Sequence, residues 1–400
     1  MASRTKLLTD LTVADLWKEV KDPAALWGDL SHEATRTLKL LLQNRMHEEL
    51  LDYLKAPRYA HVRGRQGYRN GSYLRSLTTT WGTIADLEIP RARGGGFHPS
   101  VLPRYQRRMA AVDRLIRAVF LAGVSTRRVG RTLGELLGDP VSASTVSAIT
   151  RTLDQAVAAW HARPLRDQYR YLLLDALSLR VKTPDGTKRR LVLVAYGLTP
   201  TGRRELIDYR LVRMESQSTW EVFLTNLACR GLLGAPLALI TTDGHRGLHA
   251  ALDLVYPAVP RQACWVHVLR NVAQRVRVRD RERCLAQARR IYEAPTRPAA
   301  ERLLQAWVRA WQPIAPHAVA CVLRDWEALL AFHAVSQRDW RKVRTTNAIE
   351  RAFREVRRRT RPMTCFTNDA SCERIIYAVM HYLNSQWAGR PLWRESTQNS

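Results

Sequence analysis

The stretch Tyr171-Leu172-Leu173-Leu174-Asp175-Ala176-Leu177-Ser178-Leu179-Arg180-Val181 sets the fold of the chain. Its apolar run is short and reads as a strand. A lone carboxylate follows three leucines in it. Strand alternation puts Asp175 on the same face as Leu173 and Leu177. A carboxylate there is costly unless it is paired or bound to a cation. Three readings follow for Asp175: an edge-strand aspartate, a buried ion pair with one of the many arginines, or a metal ligand.

Working outward, residues 190–196 and 205–212 read as two further strands. The turns Pro184-Asp185-Gly186 and Thr199-Pro200-Thr201-Gly202 separate them, so the three form an antiparallel meander. Ser216, Gln217 and Ser218 cap a helix to about Cys229. A buried strand over residues 237–241 ends at Asp243-Gly244, a helix runs to about Val255, and residues 261–264 allow a short fifth strand. Strands and helices in this order predict an α/β layer with a mixed sheet. Asp243 falls just past a strand's carboxyl end, where such sheets place ligands. It suits a helix N-cap equally well.

Residues 265–340 read as helices throughout, with breaks near residues 295–298 and 313–316, and look like an insertion. Beyond it, Thr345 or Thr346 caps a helix carrying Glu350, Arg354, Arg357, Arg358 and Arg361 at spacings of three and four, on one face. Arginine at this density suits phosphate, and an acid among the arginines suits a metal held against phosphate. A solvated basic face with Glu350 in an ordinary ion pair is the alternative. A last helix covers residues 369–387, and residues 394–400 form a polar tail.

Upstream, residues 11–54 carry Leu38, Leu41, Leu42, Met46, Leu50, Leu51 and Leu54 at helical spacing, which predicts a lead helix packed against a partner subunit. Residues 58–108 hold two strands, 74–80 and 83–89, turning at Trp81-Gly82. With Arg91, Arg93, Arg104, Arg107 and Arg108 they form a small basic unit suited to a DNA backbone. Residues 110–159 read as three helices separated at Gly123 and Gly138-Asp139-Pro140. This is the plan of a helix-turn-helix, or of a plain three-helix packing unit. In the former, Ser142, Ser144, Thr145 and Arg151 of the third helix, with Arg127 and Arg128 of the second, are the candidate DNA contacts.

The 400 residues carry 64 Lys and Arg against 36 Asp and Glu, a net charge of +28. A chain so basic calls for a polyanion, and nucleic acid is favoured because the arginines recur in every region. An anionic membrane is disfavoured for the same reason. The first twenty residues include Asp10, Asp15 and Glu19 and do not read as a signal peptide. No apolar run approaches the length of a membrane span. The six cysteines show no paired spacing and read as reduced thiols. The expectation is a cytoplasmic, DNA-associated protein. Cys264 and His267 could form half a zinc site, but no second pair follows.

Asp175, Asp243 and Glu350 remain as three acids on a sheet-and-helix frame. Hard carboxylates suit Mg²⁺ or Mn²⁺, and two such ions can serve phosphodiester chemistry.

The chain resembles the Mutator-type transposases of bacterial insertion sequences from about residue 67 to 387. The blocks that carry the resemblance are Gly67-Tyr68-Arg69-Asn70-Gly71, Ile89-Pro90-Arg91, Gly123-Val124-Ser125-Thr126-Arg127, Glu215-Ser216 with Trp220, and Arg230-Gly231-Leu232. They continue with Asp243-Gly244-His245-Arg246-Gly247-Leu248, Gln262-Ala263-Cys264 with His267, Arg270 and Asn271, and Thr345-Thr346-Asn347-Ala348-Ile349-Glu350-Arg351. The last are the basic run at 357–359 and Arg361-Pro362-Met363 with Phe366. The resemblance implies an RNase H-like catalytic domain whose catalytic, metal-holding triad is Asp175, Asp243 and Glu350, with two Mg²⁺ (or Mn²⁺) ions. It implies a helical insertion before Glu350 and places Cys264 and His267 near the cleavage site. It makes Arg270, Asn347, Arg351, Arg354, Arg357, Arg358 and Arg361 candidate DNA contacts. Its partners would be double-stranded DNA, as terminal inverted repeats and target, and a second copy in a homodimer. Ser178 stands where many relatives carry an aromatic or β-branched residue.

The expected domains are residues 1–57 (helical), 58–109 (basic β unit), 110–162 (helix-turn-helix), 163–264 and 341–388 (catalytic), 265–340 (helical insertion) and 389–400 (tail). The rival functions are an RNase H-like nuclease or resolvase without strand transfer, and a non-catalytic DNA-binding regulator.

Overall fold

The computed structural model describes residues 26–122, 124–138, 141–360, 366 and 368–392. Residues 11–25 of the expected lead helix, Gly123, Asp139-Pro140, Arg361-Pro362-Met363, Cys365 and the tail 394–400 lie outside them. The chain forms two compact units, Met1–Arg151 and Thr152–Ser400.

In the first unit, helix α1 (Leu26–Leu54) lies on the hairpin of β1 (Arg69–Thr79) and β2 (Gly82–Ala92). The hairpin turns at Trp81-Gly82, where Gly82 takes φ +133, a value costly for any residue with a Cβ. The stripe expected to meet a partner subunit meets the hairpin instead. Leu38, Leu42 and Met46 pack with Leu77, Ile84, Leu87 and Ile89, and Leu50 and Leu54 with Ala92 and Phe97. Leu41 and Leu51, off that stripe, stay exposed. The hairpin's inner face needs a cover, and the apolar stripe of the 29-residue α1 supplies it.

Helices α2 (Ala110–Leu121), α3 (Thr126–Leu137) and α4 (Ala143–Arg151) follow. Ser125 caps α3 by accepting from the Arg128 N–H, and Ser142 accepts from the Thr145 N–H. Val112, Ile116, Phe120, Val129, Leu133, Val146 and Ile149 are buried. Gly130 lets α3 approach the turn before α4, since a Cβ there would lie 1.9 Å from the Val141 carbonyl oxygen.

The second unit opens with α5 (Leu153–Ala162), a helix separate from α4. Next come the meander strands β3 (Tyr171–Thr183), β4 (Gly186–Leu198) and β5 (Arg204–Val212). Helix α6 (Gln217–Cys229) starts in a capping box of Ser216 and Thr219, a device that adds roughly 1 kcal/mol. Then follow β6 (Leu239–Thr242), α7 (Arg246–Val255) and β7 (Arg261–Ala263). The sheet order is β5-β4-β3-β6-β7, antiparallel from β5 to β3 and parallel from β3 to β7. This is the RNase H-like mixed sheet expected from the sequence.

Its two faces are distinct. Leu172, Leu174, Leu193, Ala195, Ile207 and Ile240 pack with Trp220, Phe223, Leu224 and Leu227 of α6 and Leu248 and Leu252 of α7. Burying a leucine-sized side chain contributes about 1.5–3 kcal/mol, so this layer fixes the register of the strands. The helical insertion is α8 (Trp265–Arg275), α9 (Val278–Glu293), α10 (Arg297–Trp311), α11 (Pro316–Leu323) and α12 (Trp326–Leu329). Thr296 caps α10, and Pro298 and Pro316 sit in the first turns of α10 and α11, where a missing N–H costs nothing. Trp307 and Trp311 centre the insertion, donating to the Cys284 carbonyl at 3.2 Å and to Gln287 at 2.7 Å.

The short α13 (Trp340–Val343) leads into α14 (Asn347–Thr360), and α15 (Asp369–Trp387) closes the unit. Phe366 bridges to Val181 of β3, beyond the point where β6 has ended. Helix α15 lies on β5 and is tied down by Arg190 with Asp369 at 3.0 Å and by Arg374 with Asp154 of α5 at 2.6 Å. Among the described residues no helix is long and apolar enough to cross a membrane.

Candidate active site

The strand register assembles the site. In the parallel pairing of β3 with β6, Tyr171, Leu172 and Leu173 lie opposite Leu239, Ile240 and Thr241. Two residues further, the same register brings Asp243 beside Asp175. Between β6 and β7, Thr241 and Thr242 pair with Gln262 and Ala263, so one more step brings Cys264 beside Asp243. Asp175, Asp243 and Cys264 therefore form a row across three adjacent strands, at the carboxyl ends of β6 and β7. Strand alternation puts the row on the face opposite α6 and α7, toward the segment that leads into α14.

Asp175 is buried, 3% exposed. Its Oδ1 accepts from the Ala176 N–H at 2.8 Å. Burial raises its carboxyl, His267 lowers it and Asp243 raises it again, leaving it at about 6. The Asp243 carboxylate closes the strand-end turn, accepting from the His245 N–H at 3.0 Å. Gly244, at φ +89, lets the chain reverse there. The N-cap expected of Asp243 is thus a turn, and helix α7 begins three residues later.

Cys264 is fully buried at the head of α8. Burial raises its thiol, but His267 and Thr346 outweigh it and hold the thiol below its usual range. Burial lowers His267, yet the neighbouring Cys264, Asp175 and Asp243 carry it up to about 9. The His267 Nδ1 is buried without a hydrogen-bond partner. Thr346 is the contact that sequence reading missed. It was expected as a helix cap, and its carbonyl does open α14 by accepting from the Ile349 and Glu350 N–H groups. Its buried hydroxyl instead lies 3.4 Å from the Cys264 sulfur, on the side where it favours the ionised form of Asp175. Only the buried, polar character of the position could have hinted at this.

Glu350 stands one turn further along α14, where its Oε1 accepts from Arg270 of α8 at 3.0 Å. In this conformation it forms the ordinary ion pair that its sequence context allowed. Among the described residues, no three His, Cys, Asp or Glu side chains converge as a metal site. The two aspartates fit a hard divalent cation: they are adjacent oxygen donors, one buried with its carboxyl raised by the other's charge. Glu350 itself is held by the guanidinium of Arg270. A further acid faces the row. Glu215 accepts from the Trp220 indole at 2.9 Å, lies 3.5 Å from His245, and is raised by burial and then by Asp243.

The other candidate residues fall into groups. Arg127, Arg128, Ser142, Ser144 and Arg151 are exposed on α3 and α4, while Thr145 is half-buried and its hydroxyl accepts from Ser142 at 2.9 Å. On α14, Arg351 and Arg354 open onto a cavity with Asn347. Arg358 pairs with Glu355 at 3.0 Å, and Arg357 is exposed. His249 of α7 is half-buried and meets the Thr242 hydroxyl at 3.0 Å. The five described cysteines are free thiols.

An RNase H-like sheet bearing an aspartate on its central strand beside a second at the end of the neighbouring parallel strand is the frame of a class of nucleic-acid enzymes. Comparison with known proteins narrows it. The family model "Transposase, Mutator family" matches residues 14–389. The transposase for insertion sequence element ISRM5 of Rhizobium meliloti is 33% identical over 92% of this chain and 91% of its own length. The transposase for IS256 in transposon Tn4001 of Staphylococcus aureus is 34% identical over 86% and 87%. That for IS406 of Burkholderia multivorans is 35% identical over 91% and 94%. The chain belongs to the Mutator family of transposases, and that membership supports a transposase-type activity.

Proposed function

We propose that the chain is the DNA transposase of an insertion sequence. It binds the element's terminal inverted repeats, cuts strands at the ends to free a 3′-hydroxyl, and transfers that hydroxyl to a second phosphodiester. The observation that carries this reading is the register that sets Asp175 of β3 beside Asp243 at the carboxyl end of the parallel strand β6.

Asp175 and Asp243 would hold the divalent ions, Mg²⁺ or Mn²⁺, with Glu350 joining once Arg270 lets it go. Such ions, when bound, activate an attacking oxygen and stabilise the leaving one. The chain's own residues do the rest. Thr346 favours the ionised form of Asp175, and its contacts with Cys264 fix the start of α14 against the strand ends. Arg270, freed from Glu350, becomes a cation for the DNA backbone. His267 offers an unpartnered ring nitrogen beside Asp175, a proton donor within reach of a reacting oxygen. The exposed Arg127, Arg128 and Arg151 present α3 and α4 to duplex DNA in the helix-turn-helix manner. A homodimer would hold the two ends together.

The test is strand cleavage on a duplex carrying the native terminal repeats. Asp175→Ala, Asp243→Ala and Glu350→Ala should each lower cleavage at least about a thousandfold and leave end binding unchanged. A variant that still cleaves removes its residue from the triad. Transfer of precleaved ends to target DNA separates a transposase from a nuclease that stops at cutting.

A further inference from the structure

A cavity of about 640 Å³ opens beside the first turns of α14, within the second unit. It is of the size that takes small ligands, about 300–1,000 Å³. Its walls carry six cations: Arg204 from β5, Arg341 and Lys342 from α13, Arg344 from the turn after it, and Arg351 and Arg354 from α14. The one acid on the wall is Glu355, and it holds Arg358. None of the six cations makes an ion pair among the described residues. Arg344 donates to the Tyr292 carbonyl and stacks on that ring at 4.6 Å. Arg204 lies 4.8 Å from the Trp387 ring centroid, and its Nε is buried with no hydrogen-bond partner. The stretch 341–354 and Arg204 of β5 thus converge their positive charge on one cavity. Mutual repulsion disfavours such a cluster unless an anion answers it.

The place of the cavity on α14 matters. At 100° per residue, Asn347, Arg351 and Arg354 lie on the flank next to Glu350, while Ile349, Ala352, Phe353 and Val356 are buried. On α8, Val266 lines the cavity and its neighbour His267 belongs to the acid row. The cavity therefore adjoins the candidate active site across the width of one helix.

We propose that this cavity is a binding site for the nucleotide phosphates of a single DNA strand next to the cleavage position. The inference rests on the reading of the chain as an enzyme acting on DNA. Guanidinium groups in this number match phosphate oxygens. Single-strandedness follows from size: 640 Å³ spans roughly 9 Å, less than the ~12 Å width of a duplex's major groove alone. The half-buried ring of Trp387 on the same wall, backed by the buried Tyr196, suits a strand whose bases are unpaired.

The experiment is a fluorescence-anisotropy titration of the full chain, without divalent ions, against a labelled six-nucleotide oligothymidylate. The variants are Arg341→Gln/Arg351→Gln, both exposed positions, and Arg341→Lys/Arg351→Lys. The glutamine pair should weaken binding at least tenfold and make the salt slope shallower by about 1.4, two phosphates at about 0.7 each. The lysine pair should keep most of the affinity, and duplex carrying the terminal repeats should bind all three proteins alike. Equal oligothymidylate binding by wild type and the glutamine pair overturns the cavity assignment, while duplex binding leaves the DNA reading intact. Loss of both short-strand and duplex binding in the wild type overturns the DNA reading itself. Two competitors identify the phosphate source. ATP or pyrophosphate that displaces the oligonucleotide at micromolar levels, and loses this ability in the glutamine pair, replaces the strand by a free nucleotide and overturns the proposal. Displacement only at millimolar levels supports it.

Discussion

Two buried aspartates in the same sheet have opposite fates, and their neighbours explain why. Asp175 faces Asp243 and is raised to about 6 after burial and that second charge act on it. Asp208 of β5 is also buried, and burial pushes it up. There the hydrogen bonds and charges of His161, at 2.8 Å, and Arg230 prevail and hold it below the usual carboxylate range. The second arrangement is structural: it joins α5, β5 and the end of α6. Removing the acid leaves the Arg230 guanidinium, 9% exposed, without its counter-charge. Asp208→Ala should therefore cost about 3–5 kcal/mol at neutral pH. Because the folded pKa is depressed, that stability is present above the ordinary carboxylate pKa and is lost as pH falls through the folded one. Urea melts of wild type and variant should converge below about pH 4, and a constant gap down to pH 3 would contradict the assignment. Asp175 was legible in the sequence because a charge among leucines is conspicuous. Asp208 was not, since its partners lie 47 residues before it and 22 after it.

At the scale of elements, the site depends on how helices seat against strand ends. Helix α7 begins just past Asp243, and its Gly247 touches the start of α6. A Cβ there would lie 2.6 Å from the Gln217 nitrogen and 2.8 Å from the Ser216 carbonyl carbon. Backbone on both sides cannot yield easily. Gly247→Ala should push α7 outward, displace the Asp243 turn and destabilise the unit by about 1–3 kcal/mol. Single-turnover cleavage should fall about 10–100-fold, since small misplacements of reacting groups cost that much. Unchanged cleavage would show that the seat of α7 does not position Asp243. The strands themselves were readable: their runs, turns and caps fall close to where hydrophobic pattern and glycine placed them. Their ends were less so. Strands β1 to β4 all extend beyond the expected limits, because pairing partners carry polar residues into the ladder that period alone does not reveal.

For the molecule as a whole, the charge of +28 is its largest feature. Among the arginines without an ion pair in the described residues are Arg127 and Arg128 of α3, Arg151 of α4, and Arg341, Arg344, Arg351 and Arg354 around the cavity. Binding to duplex carrying the terminal repeats should weaken about 10³–10⁵-fold between 50 and 200 mM salt, the response of six to ten phosphate contacts. A weak salt response would mean that the charge serves something other than phosphate. The sequence by itself determined the mixed sheet, the insertion, the two aspartates and the basic character, because these follow from local pattern, composition and strand-end position. Only the tertiary structure decided which residues meet. It turned the leucine stripe of α1 inward onto its own hairpin, set the Thr346 hydroxyl against Cys264, and gave Glu350 to Arg270. It also brought Arg204 of β5 against the cations of residues 341–354 around one cavity. Each of these is a contact between residues far apart in the chain, fixed by register and packing, and no local pattern encodes a partner that only folding brings near.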